Sequence, residues 1–343
     1  MGEIEFREYR PGDEGNILAT FNTTFSESWT EGYVDRGLAH WRWLYELNPA
    51  GHRILIGVDD DGTVACQYAG IPMRVRGPEG RELSFFHAVD SMVHPAYRKG
   101  LRKRGLFLEV AERYFERFGG REDHLGFGYP VRAAWRIGER YLGYGLVRSV
   151  EFLMRDIEPS LVTGSASESR GGIEVRPVDW SHDAEALDAL FARVGVSYSC
   201  VTIKDARYLS WRYGPDAPNR YHVLVAHSAD SLAGLAVVRT SGSLVPDAAT
   251  IGDLLVAPGD ETTLNALIAS AEDLAAANAC RSLMTVENPD LFAGTHFRSL
   301  GFELHPSKNW FERKLGSRDW TSGLTQEWLA SNWSYCLGDS DLF

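Results

Sequence analysis

Apolar residues recur along this chain with two different periods, and the alternation between them predicts its elements. Ile54-Leu55-Ile56-Gly57-Val58 and Val64-Ala65-Cys66-Gln67-Tyr68 are short β-rich runs on either side of the turn signal Asp59-Asp60-Asp61-Gly62, which predicts a hairpin. A further strand is predicted from Phe85 to Val93, stopped by Pro95. From about Arg104 the apolar positions Leu106, Phe107, Val110, Ala111, Tyr114, Phe115 and Phe118 follow helical spacing. Gly119-Gly120 then supplies the residue that a helix C-terminus prefers. A strand over 125–129, a helix over 131–142 and a strand over 147–156 complete this half. Farther on, Leu264, Leu267, Ile268, Ala271, Leu274 and Ala275 repeat the long amphipathic helix, and residues 281–286 repeat the strand after it. Hairpins followed by βαβα units predict mixed α/β sheets.

The same order of elements occurs twice. Trp41-Arg42-Trp43 is echoed by Trp211-Arg212-Tyr213 at an offset of 170. Asp90-Ser91-Met92-Val93-His94-Pro95 returns as Asp253-Leu254-Leu255-Val256-Ala257-Pro258 at 163, and Leu142-Gly143-Tyr144 as Leu300-Gly301-Phe302 at 158. Three anchors in one order indicate an internal repeat whose second copy is shorter by 170 minus 158, or 12 residues. Between the copies, residues 164–172 are small, polar and glycine-rich, a linker composition. The expected organisation is a first domain at 1–157, a linker at 158–172, a second domain at 173–316 and a C-terminal tail at 317–343.

Composition narrows the function classes. With 343 residues, 44% hydrophobic and 24% charged, the chain has room for about two ordinary globular domains, and it contains no apolar run of membrane length. The start MGEIEFREYR carries no secretory pattern, so a cytoplasmic address is expected. Cys66, Cys200, Cys280 and Cys336 are scattered without metal-ligand spacing, so reduced thiols and no metal are expected. A net charge of −12 argues against nucleic acid as a partner, and no membrane partner is expected.

Inside this acidic chain, Arg98-Lys99-Gly100-Leu101-Arg102-Lys103-Arg104 places five cations in seven residues, between a predicted strand end and a predicted helix start. Unpaired amides and the positive end of a helix favour an anion there, and Gly105 lets a phosphate approach the backbone. The matching segment of the second copy, Pro258-Gly259-Asp260-Glu261-Thr262-Thr263, holds two acids and no cation, so it should repel a diphosphate.

These residues resemble the Gcn5-related N-acetyltransferase (GNAT) family. Residues 93–98 are similar to the end of its fourth strand, and Arg102-Lys103-Arg104-Gly105-Leu106-Phe107 to its acetyl-CoA loop, with Phe107 in place of the final small residue and about four extra residues in the loop. Gly128-Tyr129-Pro130 and Arg140-Tyr141-Leu142-Gly143-Tyr144 are similar to its closing strand and helix. Trp41-Arg42-Trp43, Asn48-Pro49 and Asp61-Gly62 resemble a tandem bacterial subgroup. The resemblance implies two tandem acyl-CoA N-acyltransferase (GNAT-like) mixed-sheet domains, the second degenerate. It implies acetyl-CoA as acyl donor and a small-molecule amine as acceptor, with a longer acyl donor or a non-catalytic acyl-CoA-binding role as alternatives. Met92, Val93, Arg98, Arg102, Lys103, Arg104, Gly105, Leu106 and Phe107 would hold the donor. His87, Asp90 and Glu139 are the candidate acid–base groups; His87 falls where the founding enzymes of the family carry a glutamate base, and Glu139 where many members carry a tyrosine acid. Tyr141 or Tyr144 offers a hydroxyl instead. The recurrence of Asp90 as Asp253 in the acidic-loop copy favours a scaffold role over a catalytic one.

The last residues combine Trp333, Tyr335, Leu337, Leu342 and Phe343 with Asp339 and Asp341, too apolar for a solvated end. The expectation is that this tail docks in the acceptor cleft of the first domain, where Asp339, Asp341 or the Phe343 carboxylate would meet the amine.

Overall fold

Arg53–Val58 and Val64–Arg76 pair antiparallel, from Arg53 opposite Gly70 to Val58 opposite Val64, around a turn that Gly62 closes with φ 82°. This is the predicted hairpin. It was observed in a computed structural model that describes all residues other than 1–2, 28–32, 99–104, 158–170, 230 and 311. The chain forms two compact units. One comprises Met1–Met73, Ser84–Gly145 and Gly316–Leu324; the other comprises Arg74–Leu83, Leu146–Leu315 and Thr325–Phe343.

In the first unit the strands follow the order Glu5–Glu8, Arg53–Val58, Val64–Arg76, Glu82–Val93, Leu125–Gly128 and Lys314–Asp319. The predicted amphipathic helix forms over Leu106–Phe118, starting two residues later than the periodicity suggested. Leu106, Val110, Ala111, Tyr114, Phe115 and Phe118 are buried in one cluster with Tyr68 and Phe86. The helix ends before Gly119, and Gly120 takes a left-handed φ of 70°.

In the second unit the order is Glu303–Pro306, Glu151–Asp156, Ser282–Thr285, Ala248–Val256, Ser231–Arg239, His222–Ser228 and Ile173–Pro177, covered by the helix Glu261–Ala277. Cys200–Thr202 pairs with Val75–Arg76 on one side and, in parallel, with Trp333–Ser334 on the other.

The expected boundaries at 157 and 316 do not match these units. The strand expected over 147–156 breaks at Val150, whose amide bonds to the Arg313 carbonyl (3.1 Å). Its second part, Glu151–Asp156, pairs with Ser282–Thr285 and Glu303–Pro306 in the second unit. Conversely, Gly316–Asp319 pairs antiparallel with Leu125–Gly128 of the first. The two halves thus exchange their last strands. Trp320, expected in the tail, instead packs on Phe115 (centroids 5.4 Å apart) and Phe86 (6.0 Å). Each half presents an equivalent open edge beside its short parallel strand, and an apolar/polar alternation carries no mark of which edge a strand will fill.

Candidate active site

In both units a parallel strand pair runs side by side briefly and then stops. Pairing extends from Phe85 opposite Leu125 to His87 opposite Phe127 in the first unit, and from Ala248 opposite Ser282 to Ile251 opposite Thr285 in the second. Beyond those points Ala88–Val93 and Gly252–Val256 continue without the neighbouring strand, leaving an opening at the carboxyl end of a parallel pair, where α/β sheets place ligands.

An aspartate stands at each opening. Asp90 Oδ2 accepts from the Tyr45 hydroxyl (2.7 Å) and pairs with the Arg36 guanidinium, and the Asp90 carbonyl accepts from Gln67 Nε2 (3.0 Å). In the second unit Asp253 accepts from the Tyr213 hydroxyl (2.7 Å) and pairs with Lys204 Nζ (2.5 Å). Tyr45 and Tyr213 each end an eight-residue helix, Leu38–Tyr45 and Ala206–Tyr213. Arg36 to Lys204 and Tyr45 to Tyr213 are both an offset of 168, so Trp43, not Trp41, corresponds to Trp211. The expected offset of 170 is corrected by two, and the second copy is shorter by 168 minus 158, or 10 residues. Arg36 and Tyr45 are the site residues that sequence reasoning missed; the repeat in this register was the signal that reveals them.

The other acid–base candidates differ in burial. His87 is 1% exposed, with its ring 5.1 Å from that of Phe127 and 6.0 Å from that of Tyr129. Glu139 is exposed on the helix Arg132–Tyr141, and Tyr141 is also exposed. The Tyr144 hydroxyl is 2.5 Å from that of Tyr68. Burial pushes the Tyr144 phenol up to about 12, against the opposing pull of the Tyr68 hydrogen bond and the nearby Arg318.

Of the donor-binding candidates, Met92 and Val93 end the strand Glu82–Val93, and Arg98 follows it. Met92 is buried, Val93 is half-buried, and the Val93 carbonyl accepts from Arg98 Nε (3.0 Å). Arg98 also forms a surface ion pair with Glu27 (2.8 Å). Arg102, Lys103 and Arg104 lie outside the described residues. Gly105 is the N-cap of Leu106–Phe118, has φ −71°, and makes no side-chain cap. A Cβ placed on Gly105 would meet nothing within 4 Å among the described residues, so neither backbone strain nor crowding by those residues requires glycine there. Leu106 buries its side chain in the core and offers a ligand only its amide, while Phe107 is half-buried, 6.2 Å from the Tyr68 ring.

The second copy closes both features with its own residues. Asp260 caps Glu261–Ala277, with Oδ1 accepting from the Thr263 amide (3.0 Å) and Oδ2 from the Thr263 hydroxyl (2.7 Å). The opening itself is filled by the C-terminal tail. Cys336 forms a β-bridge with Glu287, Gly338 packs on the Gly252 carbonyl and Asp253 Cβ, and the Phe343 ring occupies the space that a Cβ on Gly252 would need. Arg212 donates to the carbonyls of Ser340 (2.7 Å), Gly338 (3.3 Å) and Phe343 (3.3 Å), and Tyr221 donates to that of Phe343 (3.1 Å). The tail therefore docks within the second unit, contrary to the expectation of the first domain's cleft. Asp339 is 2% exposed and accepts from the Thr202 hydroxyl (2.7 Å) and the Cys336 amide (3.0 Å), whereas Asp341 is exposed. Trp333, Tyr335, Leu337 and Phe343 are buried there, and composition cannot choose between two similar openings.

This plug encloses three carboxylates, Asp253, Glu287 and Asp339, around the single ammonium of Lys204. Burial pushes the Glu287 carboxyl up to about 8; Lys204 opposes the rise, and Asp253 and Asp339 add to it. Folding thus holds a proton on Glu287 that the unfolded chain releases above its ordinary value of 4.5. That stabilisation is complete below the ordinary value, decreases as pH rises, and is gone above the folded value, with each pH unit between them removing at most about 1.4 kcal/mol. Denaturant unfolding should show stability falling between pH 5 and pH 8, and Glu287→Gln, which cannot ionise, should remove most of that slope. An unchanged slope in the variant would show that Glu287 does not hold the proton.

Residues 5–147 match the model of a family described as an acetyltransferase (GNAT) domain. No curated protein matches the sequence. Among solved structures the chain is similar to a conserved protein of unknown function from Enterococcus faecalis V583, described as a probable N-acyltransferase. That likeness is at 11% identity, covers 96% of this chain and 74% of that one, and has a TM-score of 0.63. It is also similar to GCN5-related N-acetyltransferases from Kribbella flavida (16% identity, 92% and 71% covered, TM-score 0.61) and Anabaena variabilis ATCC 29413 (12%, 92% and 73%, 0.58). At these identities the likeness to solved structures establishes the fold, and the family match supports acyl transfer as the general reaction. Among the described residues no helix is long and apolar enough to cross a membrane. Residues 5–147 thus match the GNAT acetyltransferase domain family, and the chain shares the mixed-sheet fold of the solved structures it is similar to.

Proposed function

We propose that the first unit is an acetyl-CoA-dependent N-acetyltransferase acting on a small-molecule amine, and that the second unit is a degenerate copy that binds no donor. The carrying observation is the contrast between two equivalent helix N-termini. One begins at a glycine with no side-chain cap among the described residues, after a five-cation stretch; the other is capped by Asp260 beside an opening filled by the tail. A diphosphate gains from the free amides and positive dipole of the first, and is excluded by the carboxylate of the second.

In the proposed reaction the neutral amine attacks the thioester carbonyl, a tetrahedral oxyanion forms against amides at the end of Glu82–Val93, and the C–S bond breaks. The ammonium proton passes to solvent or a cleft carboxylate, and the CoA thiolate leaves and takes up a proton. No nucleic acid, membrane or metal partner enters this reading, and a cytoplasmic setting goes with it. Steady-state release of CoA thiol from acetyl-CoA over a panel of small amines tests it. Turnover with at least one amine well above the hydrolysis background is the expected result. Thermal stabilisation by acetyl-CoA without turnover would instead establish a binding protein, and turnover confined to longer acyl-CoA substrates would correct the donor.

A further inference from the structure

Asp90 has φ 50°, a left-handed conformation inside a strand. Few residues other than glycine tolerate this conformation, aspartate among them, so the surrounding structure must hold it there. Three groups do so. Arg36 and the Tyr45 hydroxyl share Oδ2, and Gln67 holds the carbonyl. The clamps are themselves fixed: the Arg36 guanidinium lies 3.9 Å from the centroid of the Phe21 ring, and Tyr45 is fully buried with its ring 5.2 Å from that of Trp41.

Location gives this turn its significance. Asp90 lies three residues beyond His87, the last residue of the parallel pairing, and the rotation at its φ sets the direction of the peptide groups that follow, those of Ser91 and Met92. Both peptide groups lie beyond the end of the parallel pairing, in the part of Glu82–Val93 that borders the opening. The second copy keeps the clamp and lacks the turn. Lys204 and Tyr213 hold Asp253 at the same repeat positions, but Asp253 is not left-handed, its Oδ1 accepts from the next amide, that of Leu254 (2.8 Å), and the tail fills the space. The left-handed turn thus belongs to the copy that the tail does not fill.

Resting on the acyl-transfer reading of this site, we infer that Arg36 and Tyr45 are positioning residues, which clamp Asp90 in a left-handed turn so that the Ser91 and Met92 peptide groups face the thioester oxygen. Asp90 then serves through its backbone. Its Oδ2 is already shared between a guanidinium and a phenol.

Glycine and valine at position 90 separate the two roles, because glycine adopts a left-handed φ freely and a β-branched residue resists it. With acetyl-CoA and the amine taken up in the turnover assay, Asp90→Gly should keep kcat within about tenfold of the parent while Asp90→Val loses at least about a hundredfold. Tyr45→Phe and Arg36→Ala should lower kcat at least about tenfold with acetyl-CoA affinity changed less than about twofold, and Arg36→Lys, the residue of the second copy, should restore most of the loss. Met92 is one of five methionines, so selective [15N]methionine labelling gives a short spectrum in which its amide can be assigned. Tyr45→Phe and Arg36→Ala should shift that signal in the free protein. Equal inactivation by Asp90→Gly and Asp90→Val would overturn the inference in favour of a chemical role for the carboxylate, as would losses of kcat that merely follow the unfolded fraction. If no amine is acetylated by the parent protein, the proposed function fails by itself. The Met92 signal then still decides the clamp, since an unmoved resonance in both variants overturns it.

Discussion

Removing residues 338–343 should unfold much of the second unit rather than slow a folded enzyme. Phe343 is 3% exposed and fills the space over Gly252, and burial of such a ring contributes roughly 2–3 kcal/mol. The deletion also takes away the three carbonyls that satisfy Arg212 and the carboxylate that Thr202 and the Cys336 amide bond, leaving a buried guanidinium short of acceptors. An uncompensated buried charge costs about 3–5 kcal/mol. Together these losses are a large fraction of the stability of an ordinary domain. Since each kcal/mol moves the melting point of a unit this size by about 2–4 °C, calorimetry of the truncated chain should show a drop of at least about 10 °C or no cooperative transition for the second unit. A truncated protein that melts within a degree or two of the parent and loses only turnover would restore the expectation raised by the tail's composition, that its acids act on the acceptor.

Gly105→Val is the complementary case, with a large effect on ligand and almost none on fold. The backbone at Gly105 has φ −71°, which any residue adopts, and a Cβ there meets no atom of the described residues within 4 Å. The melting temperature should therefore hold within about 2 °C. A diphosphate seated on the amides of Leu106 and Phe107 would be displaced by the branched side chain, and acetyl-CoA affinity measured by calorimetry should fall at least about tenfold, or 1.4 kcal/mol. Asp260→Ala at the equivalent helix start should behave oppositely, losing about 1 kcal/mol of stability with its cap and leaving acetyl-CoA affinity unchanged. Normal binding by Gly105→Val would move the phosphate site out of the helix N-terminus.

Local chemistry was legible in the residues themselves. The stripe from Leu106 to Phe118 specified a helix buried on one side, because helical periodicity and burial are one fact seen twice. Asp260-Glu261 against Arg102-Lys103-Arg104 already separated the two copies by charge. The repeat was visible too, but the Trp-Arg pair misplaced it by two residues, because indole rings recur wherever a core needs filling, whereas the tyrosine that bonds the aspartate has a single geometric place. His87 shows the limit for single residues: the type suits a base, and only the structure shows that it is buried beside the rings of Phe127 and Tyr129.

The sequence by itself determined the elements, their duplication, the mixed-sheet class and the copy with a cationic loop, since each depends on residues close together in the chain. Only the tertiary structure decided that Glu151–Asp156 and Lys314–Asp319 exchange sheets, that the tail plugs the second opening, and that Arg36 and Tyr45 meet at Asp90. In each of these a strand, a tail or a side chain had two nearly equivalent places to go. The choice between them rests on shape, buried charge and hydrogen-bond satisfaction summed over residues more than a hundred positions apart in the first two cases and about fifty in the third, and no local pattern carries that sum.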